Sequence, residues 1–308
     1  MKKLLLLAAA IIITQSLSAG GRVRTGIAPF KSTKKNKEEA AAAVSEITSV
    51  FSKYKFIRLL DRSRIDTLMN EIVLKQQGII DENTAVREGK LLGLQVMVVG
   101  RLHRGRLSAK AIHIESQKVI GAHSTDAAQP AKLALKLLRT IENHLAREKL
   151  KTLRNDSPSI KLEFWLEADG KKVNSKTRVG KSSVFKFRSN QPGYLTIVDI
   201  QPGGDVVILY PNEFTKRPKL QANRVYSVPS EDDEFEITVT EPAGKDTLVA
   251  FFTRKKVPWL DPRKLQGEGF LTVKDGKKLD MARGFAVTAT KLKKKEWESK
   301  TLEIEVVR

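Results

Sequence analysis

The chain has 308 residues, room for about two domains, and is 41% hydrophobic, 30% charged and 6% aromatic. That apolar share excludes a wholly disordered chain. The absence of cysteine excludes a disulfide scaffold, a thiolate nucleophile, an iron–sulfur cluster and a cysteine-ligated zinc site.

Residues 1–19 read as a secretory signal. Lys2 and Lys3 form the charged start, Leu4 to Ile13 is unbroken apolar sequence, and Ser16, Leu17, Ser18 and Ala19 lead to Gly20 and Gly21. The apolar run is about ten residues, half of the roughly twenty that a spanning helix needs. Cleavage between Ala19 and Gly20 is expected. The protein is then periplasmic and, lacking a cysteine to acylate, not a lipoprotein. The formal charge of +21 loses two with the signal lysines and becomes +19. Such a balance favours acidic partners. For an exported chain these are proteins, anionic envelope polymers or lipid headgroups met peripherally. Nucleic acid is not expected, because no aromatic residues interleave with the Lys/Arg clusters to stack on bases.

From residue 22 to 150 the elements alternate. Residues 23–30 predict a strand and 38–53 a helix, with Val44, Ile47, Val50 and Phe51 on one face. Residues 56–60 predict a strand. Asp61 N-caps a helix carrying Ile65, Leu68, Met69, Ile72 and Val73, which stops near Gly78. A helix over 82–92 ends at Gly93, a central strand spans 94–100, a hairpin spans 106–114 and 118–123, and a helix over 130–149 closes the unit. Helices packed on a mixed sheet, an α/β unit, follow.

The strings Leu60-Asp61-Arg62-Ser63-Arg64-Ile65-Asp66, Gln76-Gln77-Gly78-Ile79-Ile80-Asp81 and Gly89-Lys90-Leu91-Leu92-Gly93-Leu94-Gln95-Val96-Met97-Val98-Val99-Gly100 resemble the curli-secretion-channel (CsgG-like) family over residues 22–150. The resemblance implies a soluble envelope domain. The family's channel members secrete amyloid subunits across the outer membrane. This sequence lacks the lipidation cysteine and the paired alternating segments of about 9–11 residues that build barrel hairpins.

Asn155, Asp156, Ser157 and Pro158 mark a linker over 151–159. Residues 160–308 then change to period-two alternation, and an all-β sandwich-like unit is expected. Strands are predicted over 161–166, 183–188, 194–200, 206–210, 235–239 and 247–253, with 194–200 and 206–210 paired over Pro202-Gly203-Gly204-Asp205. Asp169-Gly170 and Asp275-Gly276 are turn signals. The pattern Gly193-Tyr194-Leu195, Asp199, Gly204 and Leu209-Tyr210-Pro211-Asn212, then Phe235-Glu236-Ile237 and Glu241-Pro242-Ala243-Gly244, resembles an uncharacterised β-rich bacterial domain family over about 180–257. The resemblance implies an accessory or binding module.

Candidate chemistry is sparse. Lys176-Thr177-Arg178-Val179-Gly180-Lys181-Ser182 lacks the first glycine of a phosphate loop and precedes a strand rather than a helix. His103, His113 and His123 surround the hairpin and hold a metal only if they converge. Glu231-Asp232-Asp233-Glu234 lacks the alternation and glycine of a calcium loop. No catalytic, metal or cofactor residue is therefore assigned, and no cofactor is expected. The favoured reading is an exported, non-catalytic accessory or binding protein of envelope assembly or secretion. An oligomeric curli-type channel component is one alternative. An envelope hydrolase is the other, and it requires a deep pocket with perturbed carboxylates or converging histidines.

Overall fold

A computed structural model describes residues 21–61, 63, 65, 82–215, 219–258 and 261–308. The expected cleavage site at Ala19 and Gly20, most of the helix predicted to follow Asp61, and Gly78 lie outside the described residues. At its start, the Asp61 side chain accepts the Ser63 N–H at 3.0 Å.

The first sheet has five strands: β1 (Val23–Ile27), β2 (Ile57–Leu59), β3 (Val96–His103), β4 (Arg106–His113) and β5 (Lys118–Asp126), in the order β2-β1-β3-β4-β5. β1 runs parallel to β2 and β3, while β3, β4 and β5 are antiparallel. The apolar run read as a central strand is central. Helices α1 (Lys37–Ser52), α2 (Glu82–Leu91) and α3 (Pro130–Lys151) cover this sheet. α2 stops where expected, at Gly93, whose φ of 63° is a left-handed conformation that glycine adopts without penalty.

Two further sheets follow. A seven-stranded sheet runs, by residue ranges, 265–266, 272–273, 206–210, 194–200, 244–253, 297–307 and 176–178, and a five-stranded one runs 226–228, 182–189, 162–168 and 171–173, with 237–238 paired to 182–189. Their central members are β6 (Leu162–Ala168), β9 (Ser182–Ser189), β10 (Tyr194–Ile200), β11 (Val206–Tyr210), β14 (Gly244–Thr253) and β17 (Trp297–Val307). The shorter ones are β7 (Lys171–Val173), β8 (Lys176–Arg178), β12 (Tyr226–Val228), β13 (Ile237–Thr238), β15 (Leu265–Gln266) and β16 (Thr272–Val273). Alternation sorts the side chains. Leu195, Ile197, Leu248, Ala250 and Phe252 pack against Phe164, Leu166, Phe185 and Phe187 of the facing sheet. Val198, Ile200, Val249 and Phe251 face the other way.

The fold class is the expected one, an α/β region followed by a β-rich region, with one added element. Helix α4 (Lys278–Lys291) lies on the outer face of the seven-stranded sheet, where the sequence reading had only strands and turns. Met281, Ala282 and Phe285 bury against Val198, Val249 and Phe251.

Helix α3 belongs to both regions. Leu133, Leu137, Leu138, Ile141 and Leu145 pack on the first sheet, and Ala146 and Leu150 pack with the seven-stranded sheet and α4. The segment read as a linker is pinned: Asn155 Nδ2 donates to Lys294 O at 2.6 Å and Trp297 O at 2.7 Å. Glu142 of α3, 2% exposed, accepts the Gly276 N–H at 2.7 Å and the Leu279 N–H at 3.3 Å, satisfying backbone donors at the start of α4. Burial raises its carboxyl above the ordinary range against those two hydrogen bonds.

Beside it Lys278, 0% exposed, donates to Asn143 Oδ1 at 3.1 Å and Gly204 O at 3.0 Å, and pairs with Asp275 at 2.9 Å and Asp205 at 3.5 Å. Gly204, in the turn between β10 and β11, has φ 86° and a Cβ there would run into Asn143. Lys278→Met keeps the aliphatic stem and leaves the Gly204 carbonyl and Asn143 amide without their donor. It is expected to lower stability by about 1–3 kcal/mol, read as an earlier urea midpoint.

Candidate functional site

A cavity of about 600 Å³ opens between the two β-rich sheets. It arises because apolar alternation is broken at three inward positions. Asp199 follows Leu195 and Ile197 on the inner face of β10. Asp246 precedes Leu248 on the inner face of β14. Ser183 precedes Phe185 on the inner face of β9. The register pairs Asp199 with Leu248 and Ile200 with Thr247, so Asp246 sits diagonally beside Asp199 on one face.

Asp199 is 7% exposed and Ser183 is 2% exposed. Asp199 Oδ1, Asp246 Oδ1 and Ser183 Oγ are buried with no hydrogen-bond partner among the described residues. The nearby donors are the Gln201 side chain and the Ser183 hydroxyl, and two buried carboxyls side by side favour keeping one proton between them. Desolvation, then the charge of Asp246 and the hydrogen bond between the two carboxyls, hold Asp199 well above the ordinary carboxylate range. Gln201 and Arg147 oppose the shift. Asp246 is raised by its own burial. Arg147, on α3 behind the sheet, donates to Gln201 O at 2.8 Å. At the cavity mouth Glu241 is paired with Arg308 at 3.0 Å and Asp205 with Arg139 at 2.7 Å. Glu236 lines the cavity and makes no ion pair among the described residues. A chamber lined by several carboxylates stands out in a chain of net charge +21.

The candidates from sequence lie elsewhere. His103 is exposed and stands on the opposite face of the first sheet from His113 and His123. The His113 ring lies beside that of His144, tilted at 59° with centroids 5.1 Å apart, and His123 bonds Thr140 Oγ1 at 2.8 Å. Burial lowers His113, and burial with the neighbouring His113 lowers His144 to about 4. Among the described residues no three His, Asp or Glu side chains gather to hold a metal. Residues 176–182 run from β8 into β9, with no helix after them. In the acidic cluster Asp233 Oδ2 accepts the Ser230 N–H at 2.7 Å, so it closes a turn. A wider hollow of about 750 Å³ lies on the first sheet beside Lys31, Arg101, Ser108, Lys110 and Ser124. It is basic and open, and Lys110 is paired with Glu82.

Sequence reasoning missed Asp199 and Asp246. The available signal was an ionisable residue at an inward position of a strand otherwise apolar on that face, once in 194–200 and once at the start of 246–253.

Fold and cavity together define an α/β layer joined to a two-sheet β unit with a carboxyl-floored chamber. Residues 176–256 match a family described as a domain of unknown function (DUF4384), consistent with the β-rich likeness drawn from sequence. Ser183, Asp199 and Asp246 all fall inside the match. No curated protein matches the chain. Among solved structures, it is similar to the LpoB C-terminal domain from Escherichia coli, at 11% identity over 34% of this chain and 82% of that one, TM-score 0.26. The PelC dodecamer from Paraburkholderia phytofirmans gives 11%, 39%, 84% and 0.21 in the same order. TolB from Acinetobacter baumannii gives 10%, 75%, 66% and 0.29. These are not curli secretion channels, and at such scores none of the three assigns an activity or a partner. Among the described residues no helix is long and apolar enough to cross a membrane.

Proposed function

We propose that this is an exported, non-catalytic envelope accessory protein, of two units over 22–150 and 160–308, that holds its partner in the cavity between its two β-rich sheets. The observation carrying this reading is the set of buried, unpartnered acceptors aimed into that cavity. A fold does not leave buried polar atoms unsatisfied without cost, and a ligand that brings donors removes the cost. Export rests on the signal-like segment 1–19.

One observation favours a second reading. Two buried carboxyls side by side, both raised by burial, are also the working arrangement of acid–base hydrolases, so turnover is the alternative.

The test is affinity capture from an envelope extract by the mature chain, at low and moderate salt, because contacts made only by net charge are screened. Val207→Phe fills the cavity from the wall of β11, and its folding is checked by its unfolding transition. Expected is a protein partner retained at moderate salt by the wild type and lost by Val207→Phe. Equal retention by both, or consumption of the captured species by the wild type alone, overturns the reading.

A further inference from the structure

The chemistry of the cavity limits what fits it. Its floor offers acceptors from both sheets: the two carboxyls on β10 and β14, and a hydroxyl on β9. Its walls mix apolar side chains, Leu166, Phe185 and Leu248 among them, with polar ones such as Thr177, Gln201 and Thr272. An anion meets the carboxyls and is repelled. A neutral hydroxyl brings a single donor to acceptors that need more. A hard divalent cation seeks six or more oxygens, and the described residues gather no such cluster. A guanidinium presents its donors in one fixed plane, which suits a single carboxylate. An ammonium is a compact charge with three rotatable donors on a flexible stem, which suits acceptors arriving from different strands.

Resting on the cavity being the binding site, we infer that the ligand is a primary ammonium group on an aliphatic stem, donating to Asp199, Asp246 and Ser183 while the stem lies against Leu166, Phe185 and Leu248. The incoming cation takes over the role of the shared proton, which leaves to solvent. The charge balance at the floor is then kept, one proton out for one ammonium in.

Binding of hexylammonium, hexanol and hexanoate to the mature protein is measured by calorimetry in two buffers of different ionisation enthalpy. Hexylammonium is expected to bind at least about tenfold more tightly than either isostere, to release up to one proton, and to weaken as pH falls. The Asp199→Asn/Asp246→Asn double variant should lose most of that preference. Calcium and hexylguanidinium are run alongside. Comparison of 1,5-diaminopentane with Nα-acetyl-lysine methylamide tells a free amine from a lysine side chain as the source.

Equal binding of hexanol, no effect of the double variant, or tighter binding of calcium or hexylguanidinium overturns the inference and leaves the cavity reading standing. If no probe binds but partner capture still depends on Val207, the inference alone falls. If neither holds, both fall.

Discussion

Phe285→Ala is expected to destabilise the protein by about 3–5 kcal/mol, the usual range for removing a buried phenylalanine. Phe285 is fully buried and its ring centroid lies 4.4 Å from that of Phe251 at an interplanar angle of 44°. The pair is the centre of the layer formed by α4, the seven-stranded sheet and the end of α3. The cost spreads because α4 carries more than this contact. Its first turn holds Lys278 and Leu279, which reach Asn143, Glu142 and the core of the first sheet. A helix that loses its anchor on the β side also loosens its grip on α3. Phe285→Leu keeps most of the apolar volume and should cost less than half as much. Urea unfolding of the three proteins measures the series. A loss below about 1 kcal/mol for the alanine variant, well under the range for a buried phenylalanine, would mean that α4 does not dock as described.

That helix also shows what the sequence hid. Strands 194–200 and 206–210 were legible to the residue, because apolar residues dominate both faces and the turn between them is glycine-rich. α4 was not. Its Gly284, Val287, Thr288 and Thr290 are weak helix formers, and burial of Leu279, Met281, Ala282, Phe285 and Ala289 overrides them. The reverse occurred at 235–239. A clean alternation there yields only Ile237–Thr238, since β13 meets only the end of β9, at Ser183 and Ser182. The three histidines fail to converge for a reason of parity. His103 pairs with Arg106 at the hairpin, and the seven-residue step from Arg106 to His113 reverses the face.

The candidate site was hidden by distance. Asp199 and Asp246 become neighbours only through the register of β10 with β14, which composition and local periodicity do not specify. The hydrolase alternative asks for a pocket with perturbed carboxylates or for converging histidines; Asp199 and Asp246 supply the first, and His103 faces away from His113 and His123.

Asp199→Asn is expected to stabilise the protein near neutral pH while weakening whatever the cavity binds. The sign follows from the shift. An unfolded aspartate titrates at about 3.9, whereas burial and Asp246 hold the folded Asp199 well above that. Between the two values the native chain keeps a proton that the unfolded chain has released. Stability therefore falls as pH rises across that window, and the loss is complete above the folded value. Asparagine cannot ionise, and its amide can donate to Asp246, so the variant lacks this slope.

The groups around Asp199 are Asp246 on β14, Gln201 beyond β10, Arg147 on α3, and Asp205 and Glu236 at the mouth. His113 and His144 act in the other direction. Their lowered values make stability fall as pH drops below about 6.5, toward 4 for His144, but they are common to both proteins and cancel in the difference. The variant's advantage should thus be smallest near pH 4 and grow to about 1–3 kcal/mol at neutrality, the cost of a buried polar group left unsatisfied. Paired urea titrations from pH 4 to 8 measure it. A difference that stays flat would mean Asp199 is ionised throughout, and the shared proton, with the exchange of proton for ammonium built on it, would be wrong. A rising difference accompanied by lost hexylammonium binding would mark a site where stability has been given up for recognition, as binding sites commonly require.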